Sequence, residues 1–161
     1  MQSLTNEEWL DIVKNGAYAF EVDWIAVDNL GQVGVFSALL QAPIPRVLGK
    51  SYSLYNELMA KVHDLPNKCP AKLYYKGDGG SMSWIYYSRT GLFAFDFKDA
   101  CRTENERLLQ YDLISKPSVP ILINELNLSD EQKSIVPEFD CNFDDGDLPI
   151  SLVESISLPR N

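Results

Sequence analysis

Histidine is almost missing from this chain: His63 stands alone among 161 residues. Any imidazole-based catalytic dyad or triad would have to use it, and a histidine-rich metal site is excluded by count. His63 falls at the predicted end of a helix, where an imidazole commonly serves the helix dipole. Cysteine is scarce too. Cys69, Cys101 and Cys141 are odd in number, irregularly spaced and never in a CxxC. A disulfide framework is therefore not expected, and a reducing, cytoplasmic setting is. All three read as free thiols filling small core spaces. No apolar run approaches the roughly 18 residues of a membrane span, and MQSLTNEEWL lacks the regions of a secretory signal. GxGxxG is missing, and Gly77-Asp78-Gly79-Gly80-Ser81 lacks the Gly-Lys-Ser/Thr ending of a phosphate loop. That stretch reads as a flexible loop, and no cofactor is expected.

Positive charge is also short. Lys and Arg number 14 against 23 Asp and Glu, a net charge of −9. Nucleic acid is a poor partner for such a surface. The imbalance is uneven. Residues 1–124 carry 14 acids and 12 bases, whereas residues 125–161 carry 9 acids against Lys133 and Arg160. A one-signed region of this kind steers a cationic partner, besides aiding solubility.

What the chain does have is ordinary globular material: 45% hydrophobic residues, with three Trp, eight Tyr and seven Phe. This suits one domain over 1–161, large enough to bury a core unaided. Thr5 and Glu8 form a capping box for a helix that Gly16 ends. Residues 18–27 alternate as a strand, Asp28-Asn29-Leu30-Gly31 turns, and Val33, Val35 and Phe36 return, predicting a β-hairpin. Ser51 or Ser53 caps a second helix carrying Leu54, Leu58 and Val62. Residues 83–97 are aromatic; Arg89-Thr90-Gly91 suggests a second hairpin, although the first arm fits a short helix equally well. Residues 108–115 read as a strand, Ile121 to Leu126 as a helical turn, and Ser129 as the cap of a brief helix. Two further strands, Glu138–Phe143 and Pro149–Ile156, flank an acidic turn with Gly146 at positive φ. The expected class is α+β, a mainly antiparallel sheet built from hairpins and flanked by two or three helices.

The search for chemistry finds little. Asp140, Asn142 and Asp144 match the first ligands of a calcium loop, but Asp145 stands where the turn glycine belongs and Ser151 where the bidentate Glu belongs. No metal is expected there. Asp23 and Asp28 read as solvent-facing strand acids, Asp96 fits either a solvent-facing or an inward, hydrogen-bonded position, and nothing in the spacing of the acids selects a catalytic pair. Trp84 and Tyr86 suit a core or a protein contact better than a base-stacking platform.

Asp23-Trp24-Ile25-Ala26-Val27-Asp28, Gly31, Val33-Gly34-Val35-Phe36 and Pro43-Ile44-Pro45 together resemble the opening of a family of small, uncharacterised bacterial immunity-type proteins. Gln41-Ala42 stands where that family has glycine before the first proline. Gly91-Leu92-Phe93-Ala94-Phe95-Asp96-Phe97 is similar to its next strand, and Tyr111 to Pro117 with Pro120 to the segment after it. The resemblance implies a non-enzymatic partner of a bacterial toxin. The expected function is neutralisation of a toxin, a protein with a basic cleft, by direct binding. Asp140, Asp144, Asp145, Asp147 and Glu154, with Trp84 and Tyr86, are the expected contacts. An adaptor domain for another protein is the alternative. Neither nucleic acid nor membrane is an expected partner, and composition leaves the oligomeric state open.

Overall fold

The computed structural model describes residues 4–15, 21–38, 42–74, 82–97 and 110–157. The hairpin forms as the alternation predicts: β1 (Val22–Val27) pairs antiparallel with β2 (Val33–Ala38), Val22 opposite Ala38 and Val27 opposite Val33. Its turn is organised by Asp28. One carboxylate oxygen accepts the N–H groups of Leu30 (3.0 Å) and Gln32 (2.9 Å). The other accepts Gln32 Nε2 (2.7 Å) and the distant Phe143 N–H (2.9 Å). Four donors meet one buried carboxylate, so desolvation is offset where it arises. Asp28 is therefore buried rather than solvent-facing, at 4% exposure.

β4 (Phe93–Asp96) lies parallel to β2, and β5 (Gln110–Pro117) lies antiparallel to β4. The short strands β3 (Ala71–Leu73) and β6 (Leu148–Pro149) pair with opposite ends of β5. The order is β1-β2-β4-β5-β3, with β6 beside β5. The class is α+β and most pairings are antiparallel. The parallel β2–β4 pair departs from a sheet made only of hairpins. A parallel neighbour needs a crossover, supplied here by α2 (Tyr52–His63) and α3 (Met82–Arg89).

The registers sort residues onto two faces. Trp24, Phe36 and Phe95 are directly opposite one another across β1, β2 and β4 and stack, with centroids 4.3 and 4.6 Å apart. Tyr111, Phe139 and Phe143 set their edges against this ladder, the favoured geometry for ring quadrupoles. Gly34 permits it, because a Cβ there would stand 3.0 Å from the Phe143 ring. The other face carries Ile25, Val35 and Ala94 beneath the helices. The hydroxyls of Ser88 on α3 and Ser115 on β5 lie 2.6 Å apart. α1 (Asn6–Asn15) has the predicted Thr5–Glu8 capping box, and Trp9 stacks on Tyr55 at 4.3 Å. Ser51 caps α2 and Ser129 caps α4 (Asp130–Lys133).

One open alternative is settled and two segments differ from expectation. Residues 82–89 are helical, so Arg89-Thr90-Gly91 does not turn a hairpin. Gly91, at φ +107°, closes α3: its N–H donates to Ser88 and that of Leu92 to Tyr87, a Schellman ending. Residues 138–143 do not form a strand of their own. They run beside β1, where Val27 N–H donates to Pro137 and Phe139 N–H to Val27, and one parallel bridge joins Val27 to Glu138. Residues 150–157 form a helix, α5, because Val153 and the half-buried Ile150 and Leu152 turn one side to the core. Gly146 does take a positive φ, +112°. Cys69 and Cys141 are half-buried free thiols rather than core residues. Cys101, Gly16 and the Gly77–Ser81 stretch lie outside the described residues. No helix among those described is long and apolar enough to cross a membrane.

Asp28→Ala is expected to lower the unfolding free energy by about 3 kcal/mol, since it orphans four donors. The measurement is the urea midpoint at constant m-value. Asp140→Ala, exposed on the neighbouring loop, should change it by less than about 0.5 kcal/mol.

Candidate functional site

Four of the five expected acidic contacts, Asp140, Asp144, Asp145 and Asp147, sit on a loop that the core holds in place. Phe143 is buried in the aromatic cluster at 1% exposure, and Asn142 Oδ1 accepts the N–H of Asp144 (3.0 Å), closing a tight turn at Phe143–Asp145. Asp140, Asp144 and Asp145 all project outward and are exposed. Asn29 Nδ2 approaches Asp140 at 3.4 Å, and Lys116 Nζ pairs with Asp144 at 2.8 Å. Asp147 has a different task. Its carboxylate accepts Leu113 N–H (2.7 Å) and Gln110 Nε2 (3.1 Å), capping β5 between its partners β6 and β3. Glu154 lies in α5, and its side chain is outside the described residues.

Trp84 and Tyr86 do not join these acids. Both lie on α3, against the sheet face opposite Phe143. Trp84 packs half-buried against the core. Tyr86 is 52% exposed with the Arg89 guanidinium 5.9 Å from its ring. Tyr86 lines a shallow hollow of about 230 Å³ with Val62, His63, Ser83, Tyr87 and Thr90. The two halves of the expected contact are thus separated by the sheet.

A second cluster was not legible in the spacing. Asp23, Ser37, Asp96 and Asp112 occupy consecutive register positions across β1, β2, β4 and β5, forming one polar row at the carboxyl ends of the parallel strands. Asp23 is partly buried rather than solvent-facing. Its Oδ2 accepts the Tyr87 hydroxyl (2.6 Å), its backbone carbonyl accepts that of Tyr55 (2.5 Å), and its Oδ1 is closed to water. His63 Nε2 lies 3.3 Å from the Tyr87 oxygen. Burial, then the charge of Asp23 and a hydrogen bond to it, push Glu21 up to about 7. Glu21 nevertheless keeps much of its surface in water, so the Asp23 contact is the more telling cause. Burial and Asp23 likewise push the Tyr55 and Tyr87 phenols well above their ordinary range, so both donate rather than ionise.

Among the described residues no group of three or more His, Cys, Asp or Glu is placed to hold a metal ion. Asn142 spends its oxygen on Asp144 N–H and on Gln32 Nε2 (3.2 Å). Cys141 is a poor nucleophile, because burial and the nearby Asp28, Asp140 and Asp145 push its thiol up to about 11. Two exposed leucines, Leu30 at 60% and Leu122 at 44%, stand out beside the acidic loop. The placement of Leu30 in a turn was the available signal. No family model, curated protein or solved structure matches this chain.

The Glu21–Asp23 pair makes stability depend on pH. The folded chain holds the Glu21 proton more tightly than the unfolded chain, whose value is 4.5. This contribution is full below pH 4.5 and is lost as pH rises through about 7. The urea midpoint should fall between pH 5 and pH 8, and Glu21→Gln should flatten that fall. An equal decline in the variant would assign it to other groups.

Proposed function

We propose that this chain is an immunity-type protein that neutralises a bacterial toxin by binding it directly, without a reaction of its own. The observation that carries the reading is the fixed display of Asp140, Asp144 and Asp145. Their loop is pinned by the buried Phe143 ring and by Phe143 N–H on Asp28, so the carboxylates are held ready rather than ordered at encounter. Preorganisation lowers the entropy lost on binding, and a compact negative field accelerates association with a cationic cleft. Lys116 offsets Asp144 in part, which leaves Asp140 and Asp145 as the stronger steering charges. Asp147 drops out of the contact set, since its carboxylate serves β5. Trp84 and Tyr86 belong to the opposite face and would meet a different part of the partner. The resemblance to small bacterial immunity-type proteins supports the toxin over other protein partners. The adaptor alternative parts from it on genomic neighbourhood, where a toxin gene beside this one favours neutralisation.

The polypeptide encoded beside this chain's gene is the partner to test, with its activity and growth inhibition as readouts. The wild-type chain should abolish both. Asp140→Asn with Asp145→Asn should slow association about tenfold at low ionic strength, with the two rates converging in high salt. Undiminished toxicity in the presence of the chain, or association insensitive to both salt and these substitutions, would refute the reading.

A further inference from the structure

The turn between β1 and β2 is heavily braced, and it presents an exposed leucine. Asp28 holds the N–H groups of Leu30 and Gln32. Gly31 adopts φ +78°, which a side chain would resist. The Gly31 carbonyl accepts Ile123 N–H at 2.9 Å, and a bridge sets Gln32 against Leu122. Glu125 then accepts Leu122 N–H at 2.7 Å. These bonds fix two neighbouring backbones while leaving Leu30 60% and Leu122 44% exposed. A scattered surface leucine needs no explanation. Two on adjoining rigid segments constitute an apolar centre whose ordering cost is met by folding.

Two exposed carboxylates, those of Asp140 and Glu125, stand close to this centre. Asn29 ties it to the acidic loop twice, through its N–H on Cys141 O (3.0 Å) and through Nδ2 on Asp140 (3.4 Å). Glu125 stands beside Leu122, its side chain 51% exposed and paired with Lys68 at 3.7 Å. An apolar centre with a charged rim is the usual anatomy of a protein contact, and here the rim is predominantly negative.

We propose that Leu30 and Leu122 form the anchoring centre of the docking surface, and that its occupant is a protein segment presenting an apolar side chain flanked by lysines or arginines. This inference rests on the protein-binding reading above and names the surface and the partner chemistry. The cationic flanks would meet Asp140, Asp145 and Glu125, while the apolar side chain covers the leucines.

The test has two arms. In the first, the full chain with labelled leucine methyls is titrated with a synthetic peptide alternating Leu and Arg. The largest shifts should fall on Leu30 and Leu122, and Leu30→Ser with Leu122→Ser should weaken binding at least tenfold, whereas Leu30→Met should not. In the second arm, the neighbouring gene product is the probe, and the double serine variant should lose about a hundredfold in affinity with an unchanged melting temperature. Peptide shifts centred on other exposed leucines such as Leu10 or Leu73, or a partner that binds the double variant as tightly as wild type, overturn the surface while leaving the protein-binding reading intact. A peptide footprint on both leucines without any complex with the neighbouring product supports the surface and removes the toxin reading.

Discussion

The carboxylate of Asp28 is the constraint on which the rest of the structure depends. It is taken out of water and must find donors nearby. Two come from its own turn, one from Gln32 and one from Phe143, 115 residues away in sequence. The last bond ties the first hairpin to the acidic loop. It places the Phe143 ring on Gly34 and against Phe36 and Phe95, so the same interaction that closes a turn also closes one side of the core.

That closure has two surface consequences. The loop around Phe143 cannot move without breaking buried contacts, so Asp140, Asp144 and Asp145 keep a fixed spacing. The turn residue Leu30 is held by the same carboxylate, so an apolar side chain is displayed at a defined place beside them. Rigidity in the core is thereby transmitted to the surface, where it lowers the cost of recognition. The opposite face of the sheet is built differently. There, helices cover Ile25, Val35 and Ala94, and Tyr86 faces solvent from α3.

The Glu21–Asp23 pair and its tyrosines form the most unusual electrostatic environment in the described structure. A perturbed acid such as Glu21 is common at active sites, but structural networks perturb acids as well. Here Tyr87 and Tyr55 anchor α3 and α2 to Asp23 at the start of β1. The network thus connects two helices to an edge strand, a structural task that accounts for the buried phenols. Asp96 and Asp112 extend the row across the sheet.

Much of the local structure was legible in the sequence. Thr5 with Glu8, Ser51 and Ser129 announced their helices because capping is a matter of a few neighbouring residues. The β1–β2 hairpin was equally plain, because its alternation and turn lie within one short stretch. Residues 83–90 were ambiguous, since an aromatic run fits either period, and contact with β3, β4 and β5 settled it as helix. Residues 138–143 look like a strand by composition but have no partner of their own; β1 supplied the pairing. Asp23 and Asp28 look solvent-facing in the sequence because the groups that enclose them are remote: Tyr87 donates to Asp23, and Phe143 adds a distant donor to the local ones of Asp28. The chain by itself determined helix caps, the first turn, the class and the negative surface, all set by local chemistry or by composition. Tertiary structure alone decided which acids are buried, that Trp84 and Tyr86 lie across the sheet from the acidic loop, and that the Leu30 turn runs beside the Leu122 segment, because each depends on which distant segments share a face.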